Sequence, residues 1–214
     1  MNTQIHTLSK VAASLLLCGL AAQAGAQTVV LNSYGPDISY LDGWPTTLSA
    51  GNSIAVPFQI ASATSVQSIL TAIERNPDWD STGGVTLGIV TRQGALPSGA
   101  SWLYSTHLND PVVNTSVTPT GWSLAAGNYW LVATADAGFA GQWISATQDY
   151  TGNWAYTTAP GVWTEESSTF LGMPGVRITV TSAVPEPSTY GLMFAGGLLL
   201  AAAARRKSNN RQQG

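Results

Sequence analysis

The chain is poor in cysteine, charge and histidine. One cysteine in 214 residues excludes an internal disulfide framework and a zinc site built from several cysteines. Only 9% of the residues are charged, against roughly 25% in ordinary soluble domains. Two histidines and a net charge of −3 argue against nucleic-acid binding, which needs a basic patch. No glycine-rich phosphate loop, His-x-x-x-His pair or cysteine pair occurs, so nucleotide and metal-dependent catalysis are not expected.

The few charges fall into three blocks. Residues 1–26 carry one base and no acid, which gives +1. Residues 27–184 carry ten acids and three bases, which gives −7, and include no lysine. Residues 185–214 carry one acid and four bases, which gives +3. We therefore predict three segments with three different roles along one chain.

The first block has the order of a secretion signal. Lys10 precedes a twelve-residue apolar run, 11–22, and small residues follow at Ala24 and Ala26. This is the order of a signal peptide, and the run is shorter than the ~20 residues that span a bilayer. We predict that residues 1–26 are removed by signal peptidase after Ala26, with Ala24 as the alternative. Cys18 leaves with them, and a thiol-free body suits an oxidising compartment.

The last block combines a proline break, a short apolar helix and a basic end. Residues 184–188 read Val-Pro-Glu-Pro-Ser, an apolar run fills 190–204, and Arg205, Arg206 and Lys207 follow. A fifteen-residue helix is about 22 Å long, short of the ~30 Å hydrocarbon core. The basic cluster predicts a cytoplasmic C-terminal end. An ordinary C-terminal membrane anchor is the alternative interpretation.

This tail resembles the PEP-CTERM sorting signal of Gram-negative bacteria that make exopolysaccharide. Val184, Pro185, Glu186, Pro187 and Ser188 carry the resemblance, together with the apolar helix and the basic stop formed by Arg205, Arg206 and Lys207. The resemblance implies recognition by an exosortase, a membrane protease that removes the helix near the motif. The protein would then cross the inner membrane, hold to it transiently through the helix, and reach the cell surface or extracellular matrix.

The middle block, 27–184, has the size of one domain and the pattern of β-strands. Apolar residues alternate with other residues around Ile54–Ile60, Val85–Ile89, Tyr129–Ala133 and Val176–Val180, as in half-buried strands. Residues 66–73 fit a helix or a strand, and the neighbouring strands favour a strand. Pro57 cannot donate to a ladder, which predicts an edge position for its strand.

Many short strands with Gly and Pro turns predict one all-β domain, a β-sandwich or jelly roll. The stretches VTLGIVTRQGALPSG and WSLAAGNYWLVATAD also resemble small jelly-roll domains of anchored bacterial proteins. That second resemblance concerns the fold and implies no activity.

Catalytic patterns are weak. His107 has Asp110 nearby, but a Ser-His-Asp triad needs an acid that holds the histidine, so we expect an exposed loop histidine. Glu165 and Glu166 are adjacent, whereas a glycosidase needs two carboxyl groups facing each other across a cleft. We expect them in a solvated turn.

Two binding features remain. Asp78 and Asp80 alternate in the polar segment 76–83, which suits a Ca²⁺ site built from carboxylates and carbonyls or, alternatively, a plain polar turn. Five tryptophans lie near Gly, Pro or polar residues: Trp79, Trp102, Trp143, Trp154 and Trp163. An exposed indole offers a flat apolar face with a polar handle, as sugar-binding platforms do, and Trp79 is our candidate. Trp130 is predicted to be core.

The favoured interpretation is an exported, non-enzymatic surface or matrix protein sorted by an exosortase. The sequence leaves open whether the body binds glycan, calcium or only other proteins, and we predict weak binding of a neutral exopolysaccharide. No nucleic acid and no obligatory cofactor are expected. The alternative is a secreted polysaccharide-active enzyme, a glycoside hydrolase or lyase, that uses Asp78 and Asp80 or Glu165 and Glu166.

Overall fold

The computed structural model describes residues 25–35, 45–76, 78–97, 101–145, 152–159, 161–168, 172–182, 191 and 195–197. The chain divides into two units, of which Gln27–Ser182 is one. In the other, which comprises 1–26 and 183–214, residues 25, 26, 191 and 195–197 are described, and the last four of these are helical. Among the described residues, no helix is both long and apolar enough to cross a bilayer.

The body is built from β-strands, which confirms the all-β prediction. The strands are β1 (Ala26–Asn32), β2 (Pro45–Ser49), β3 (Ser53–Ile60), β4 (Thr64–Thr71), β5 (Ile73–Arg75), β6 (Val85–Gln93), β7 (Leu96–Pro97), β8 (Tyr104–Leu108), β9 (Thr115–Val117), β10 (Ser123–Leu124), β11 (Gly127–Ala135), β12 (Ala140–Ile144), β13 (Gly152–Ala159), β14 (Val162–Ser168) and β15 (Val176–Ser182). They form a five-stranded sheet of order β1-β15-β4-β10, in which β9 also pairs with β4. A seven-stranded sheet has the order β14-β13-β3-β11-β6-β7, in which β8 also pairs with β6, and a small sheet has the order β2-β12-β5.

The alternating residues of the two larger sheets build the core. In β3, β6 and β11, one face supplies Ile54, Val85, Leu87, Leu131 and Ala133 to the main hydrophobic cluster. In β4 and β15, Val66, Ile69 and Ile178 pack into the same cluster. Period-two alternation puts these side chains on one face of each sheet, and in β4 a bulge at position 67 brings Val66 to the same face as Ile69. The two sheets therefore pack face to face as a sandwich.

The opposite face of the seven-stranded sheet carries a second, smaller cluster. Val90, Trp130, Val132, Ala55 and Ala155 form it, and Leu96 and Trp163 pack against it. Trp130 is 1% exposed, which confirms that it is core. We refer to this side of the sheet as the outer face.

The predicted edge position of Pro57 is wrong. Its strand, β3, lies between β13 and β11. Pro57 is tolerated because β13 pairs only with Ser53–Ala55 and its pairing ends two residues before the proline. The missing N–H therefore falls where no ladder bond to β13 is made.

Three other local predictions are settled by strand pairing. Residues 66–71 lie in β4 and form a strand, as expected. Glu165 and Glu166 lie in β14 rather than in a turn, because β14 pairs with β13 across both positions. His107 is exposed as expected, but it lies in β8 rather than in a loop, because it pairs with Thr86 of β6.

The antiparallel registers give the body two opposite ends. Thr28, Ile60, Thr64 and Ser182 line one shared cavity of about 140 Å³, so β1 begins, and β15 ends, at the same place. We name this end the exit pole, since the chain leaves the body there. Val85, Leu108 and Ala135 lie at the far ends of their strands. Strands of eight residues separate the two ends by about 26 Å, and we name the far end the loop pole.

Candidate functional site

Three loops meet at the loop pole: residues 76 and 78–84, residues 109–111 after β8, and residues 136–139. Asn76 N donates to Ala140 O at 3.2 Å, and Thr82 N donates to Gly138 O at 2.8 Å. Ser81 is buried, and its Oγ accepts a hydrogen bond from Ala140 N at 2.9 Å. These bonds hold the first loop against the third and give the surface a fixed shape.

Arg75 joins the first loop to the second. Its Nη2 donates to Gly83 O at 3.1 Å and to Asn109 O at 3.3 Å. Its Nε lies 3.1 Å from Asp110 Oδ1. Asp110 is therefore the partner of Arg75 and not of His107, so the arrangement considered for a catalytic triad does not form.

His107 instead pairs with Asp136, which lies 29 residues away along the chain. His107 Nε2 lies 2.7 Å from Asp136 Oδ2, and its Nδ1 lies 3.0 Å from Asn109 Oδ1. Gly84 N also donates to Asp136 Oδ2, at 2.9 Å. Both neighbours of the imidazole offer oxygen acceptors, and only the doubly protonated ring donates to both.

The contact between His107 and Asp136 shifts the pKa values of both side chains. The hydrogen bond to Asp136 is the main cause of a raised pKa at His107, and the bond to Asn109 adds to it against some desolvation. The hydrogen bond from His107, followed by that from Gly84 N–H, lowers the pKa of Asp136. The charged forms of both groups are thus favoured. The pair links β8 to the loop after β11 by charge and hydrogen bonding together.

We expect this link to stabilise the fold most between about pH 3.8 and pH 6.5, the ordinary pKa values of the two groups. The contribution of His107, whose pKa is raised, is complete below pH 6.5 and is lost as the pH rises through the raised value. The contribution of Asp136, whose pKa is lowered, is lost as the pH falls through the lowered value. Because both side chains are more than a third exposed, the effect is at most ~1 kcal/mol.

Urea titrations of His107→Gln at pH 5.5 and pH 9 check this expectation. The loss in the free energy of unfolding should be larger at pH 5.5. In an Asp136→Asn background, which removes the partner, the same His107 substitution should cost little at either pH. Equal losses at both pH values in the wild-type background would contradict the assignment of the link.

Trp79 is the most exposed indole on the loop pole. Its side chain is 46% exposed, while its backbone N–H is held by Asn76 O at 3.3 Å. Asp78 and Asp80 flank it, and both are exposed. Asp78 N donates to Asn76 Oδ1 at 3.0 Å. In the described part of the chain, no group of three or more His, Cys, Asp or Glu side chains could hold a metal. The two aspartates would therefore depend on carbonyl or water ligands to complete a Ca²⁺ site.

The other tryptophans considered as platforms divide between core and surface. Trp143 and Trp154 are 0% and 6% exposed and belong to the main cluster, so they are core. Trp163 is half-buried against the outer cluster. Trp102 is 36% exposed and remains, with Trp79, on the surface.

The two glutamates considered for catalysis do not face each other across a cleft. Glu165 and Glu166 occupy successive positions of β14, opposite Ala155 and Trp154, so their side chains leave opposite faces of the sheet. Glu165 Oε1 accepts a hydrogen bond from Asn153 Nδ2 at 2.8 Å.

Comparison with known protein families identifies the end of the chain. Residues 183–207 match the model of the PEP-CTERM protein-sorting motif, one residue earlier than the tail recognised from its sequence. The chain carries a PEP-CTERM sorting motif. The PEP-CTERM motif makes it a substrate for exosortase sorting and directs its export to the cell envelope or surface. No curated protein matches the chain.

The PEP-CTERM motif begins directly after the body, since β15 ends at Ser182. The motif residues Val184, Pro185, Glu186, Pro187 and Ser188 and the basic stop Arg205, Arg206 and Lys207 lie outside the described residues, as does Ala24. Ala26, the preferred cleavage position, is the first residue of β1 and is exposed. Processing at either alanine would leave the strand almost whole.

The sequence did not predict the polar centre of the loop pole. Asp136 follows an apolar strand and precedes Ala-Gly, with no motif to mark it. Arg75 and Asn109 are equally unremarkable in the sequence. In the sequence, His107 is an isolated histidine and Asp136 is an aspartate with no assigned role. Only the pairing of β6 with both β8 and β11 brings the two together.

Proposed function

We propose that the mature protein is a non-enzymatic surface or matrix protein whose loop pole binds a neutral exopolysaccharide weakly. In this proposal signal peptidase removes residues 1–26, the C-terminal helix holds the chain in the inner membrane of a Gram-negative bacterium, and exosortase processing frees the jelly-roll-like body. The observation that carries it is the exposed indole of Trp79 on a cross-braced loop surface. That surface lies at the end opposite the one where the chain continues into the sorting motif.

The charge of the body favours a neutral ligand. Residues 27–184 have a net charge of −7 and no lysine, so an anionic polymer would be repelled on contact. Stacking on an indole face needs no charge, and hydroxyl and carboxylate groups nearby can bond sugar hydroxyls. One such contact is worth only ~1 kcal/mol beyond burial, so a single site should bind with a roughly millimolar Kd. Display of many copies would provide useful retention.

The absence of a shared cleft for Glu165 and Glu166 supports the non-enzymatic proposal over a polysaccharide-active enzyme. Asp78 and Asp80 sit on either side of an exposed indole, an arrangement suited to holding a ligand or Ca²⁺. We include Ca²⁺ as an optional aid at these two aspartates. Removal of Ca²⁺ by a chelator should then weaken retention in the wild type and have no further effect in Asp78→Asn/Asp80→Asn.

Trp79→Ala should abolish retention of the protein on neutral polysaccharide and leave the melting curve unchanged. The reason is that its side chain is nearly half exposed, so its removal leaves no large cavity. Affinity electrophoresis through gels with and without the polysaccharide measures the retention. Val112→Ala is the matched control, since Val112 is 63% exposed on the neighbouring loop. A Trp79→Ala protein that unfolds, or that is retained like the wild type, would contradict the proposal.

A further inference from the structure

Trp102 lies on the outer face of the seven-stranded sheet. An ideal Cβ built on Gly88 would lie 2.5 Å from Trp102 Cε3 and 2.9 Å from its Cζ3. The indole therefore occupies the place where any other residue at position 88 would put its side chain. Leu103 N donates to Ile89 O at 2.8 Å and fixes the adjacent backbone. The ring is held against the sheet while 36% of the residue is exposed.

Strand register defines the side chains beside this ring. Val85, Leu87 and Ile89 of β6 face the main core, so Thr86, Gly88 and Val90 face outward. Ser105 and His107 of β8 pair directly with Gly88 and Thr86, which puts both on the outer face. Ser105 and His107 are exposed, and Thr86 is half-buried.

Polar side chains continue across the next two strands of this face. Thr134 of β11 pairs with Thr86 and also with Ser53 of β3, and the hydroxyl oxygens of Thr134 and Ser53 lie 2.9 Å apart. One line of polar side chains therefore crosses four strands, and we call it the polar line: His107, Thr86, Thr134 and Ser53. This line lies two residues, about 7 Å, from the level of Gly88 and the Trp102 ring.

We propose that Trp102, with Ser105, Thr86 and His107, forms a second glycan-binding surface on the outer sheet face, for a segment of neutral polysaccharide. One sugar ring stacks on the indole, and the adjoining ring presents its hydroxyls to the polar line. This inference rests on the proposed glycan-binding function and assigns it a surface separate from Trp79.

The charges of this surface favour an uncharged ligand. His107 faces the carboxylate of Asp136, and their charges offset each other within 2.7 Å. Ser105, Thr86 and Thr134 bring hydroxyl groups and no charge. A polyanion finds no unpaired base along this line, and a polycation finds no unpaired acid. Both ring nitrogens of His107 are already bonded, so the groups that meet sugar hydroxyls are the hydroxyls of Ser105 and Thr86 beside the aromatic ring.

The test adds a blocking group beside the ring. Ser105→Arg places a long charged side chain next to Trp102 at an exposed strand position, where the fold tolerates it. Ser116→Arg is the matched control, since Ser116 is an exposed serine in the middle of β9 on the other large sheet. Affinity electrophoresis of the exported protein through a panel of neutral polysaccharides should show at least a fivefold rise in apparent Kd for Ser105→Arg and for Trp102→Ala. Ser116→Arg should behave as the wild type.

The outcomes separate this inference from the proposed function. If Trp79→Ala loses retention while Trp102→Ala and Ser105→Arg keep it, the sheet-face surface is overturned and the Trp79 site stands. If Trp102→Ala and Ser105→Arg lose retention while Trp79→Ala keeps it, the sheet-face surface is supported and the Trp79 site fails. Loss in both sets supports two surfaces. A wild-type protein that no neutral polysaccharide retains overturns both, and a protein partner would then be the occupant to seek.

Trp102→Ala alone would not decide the matter if it unfolded the protein, since the indole also covers Gly88. Ser105→Arg keeps the indole, so its result decides in that case. A melting temperature equal to that of Ser116→Arg, together with lost retention, supports a blocked surface. An equal melting temperature with wild-type retention overturns the proposal.

Discussion

Replacement of Pro185, Glu186 and Pro187 by alanine should leave the full-length chain in the membrane fraction. Proline fixes φ and cannot continue a helix that precedes it, so this segment separates the body from the apolar helix. Alanine favours helix and removes both the break and the acidic side chain. The motif that exosortase sorting depends on is thereby lost. We expect the amount of released protein to fall at least tenfold.

Cell fractionation and intact-mass analysis measure this effect. The retained variant should carry its C-terminal tail, including Arg205, whereas the released wild-type protein should lack it. A matched control replaces Ser208, Asn209 and Asn210 by alanine, because these residues lie in the same tail beyond the matched motif. Their variant should be processed normally. Release of the triple-alanine motif variant without its tail, or a released wild type that still contains Arg205, would contradict the prediction.

The second large effect is expected at Trp143. Its side chain is 0% exposed, and its Nε1 donates to Gly175 O at 3.0 Å. It lies in β12, the central strand of the small sheet, and joins that strand to the chain just before β15. Trp143→Ala should lower the free energy of unfolding by about 3–5 kcal/mol, because it leaves a large cavity and removes one of the two hydrogen bonds to Gly175 O, the other coming from Ala72 N.

Denaturant titration measures this loss in free energy of unfolding, and two further variants serve as comparisons. Trp143→Phe fills most of the cavity but cannot donate to Gly175 O, so it should cost about 1–3 kcal/mol. Trp79→Ala makes a change of similar size at an exposed indole and should cost no more than about 0.5 kcal/mol. A loss below 1 kcal/mol at Trp143→Ala would show that this tryptophan does not hold the small sheet to the body.

The strand predictions succeeded where the pattern was local. Ile54, Leu87, Leu131 and Ile178 reach the core as their period-two spacing predicts, because alternation along a strand depends only on neighbouring residues. The position of a strand within its sheet depends on partners that are distant in sequence. Pro57 shows the difference: its strand was correctly predicted, but its edge position was not.

Whether each tryptophan is buried likewise depends on residues that are distant in sequence. Trp143 and Trp154 stand among glycine and polar residues, as Trp79 and Trp102 do, yet the first two are buried and the last two are exposed. Local composition could not separate them, because burial depends on which strand or loop packs over each ring. At Trp102 the deciding neighbour is Gly88, fourteen residues earlier, whose missing side chain makes room for the indole.

The sequence by itself determined the sorting signal, the all-β class and the acidic, lysine-free character of the body. Each of these is a linear or compositional property that needs no knowledge of contacts. Tertiary structure alone decided that His107 pairs with Asp136, that Asp110 pairs with Arg75, and that the loop surface lies at the end opposite the exit of the chain. The physical reason is that these arrangements arise from antiparallel registers between strands far apart in sequence, where hydrogen bonding and packing across the whole sheet choose the partners.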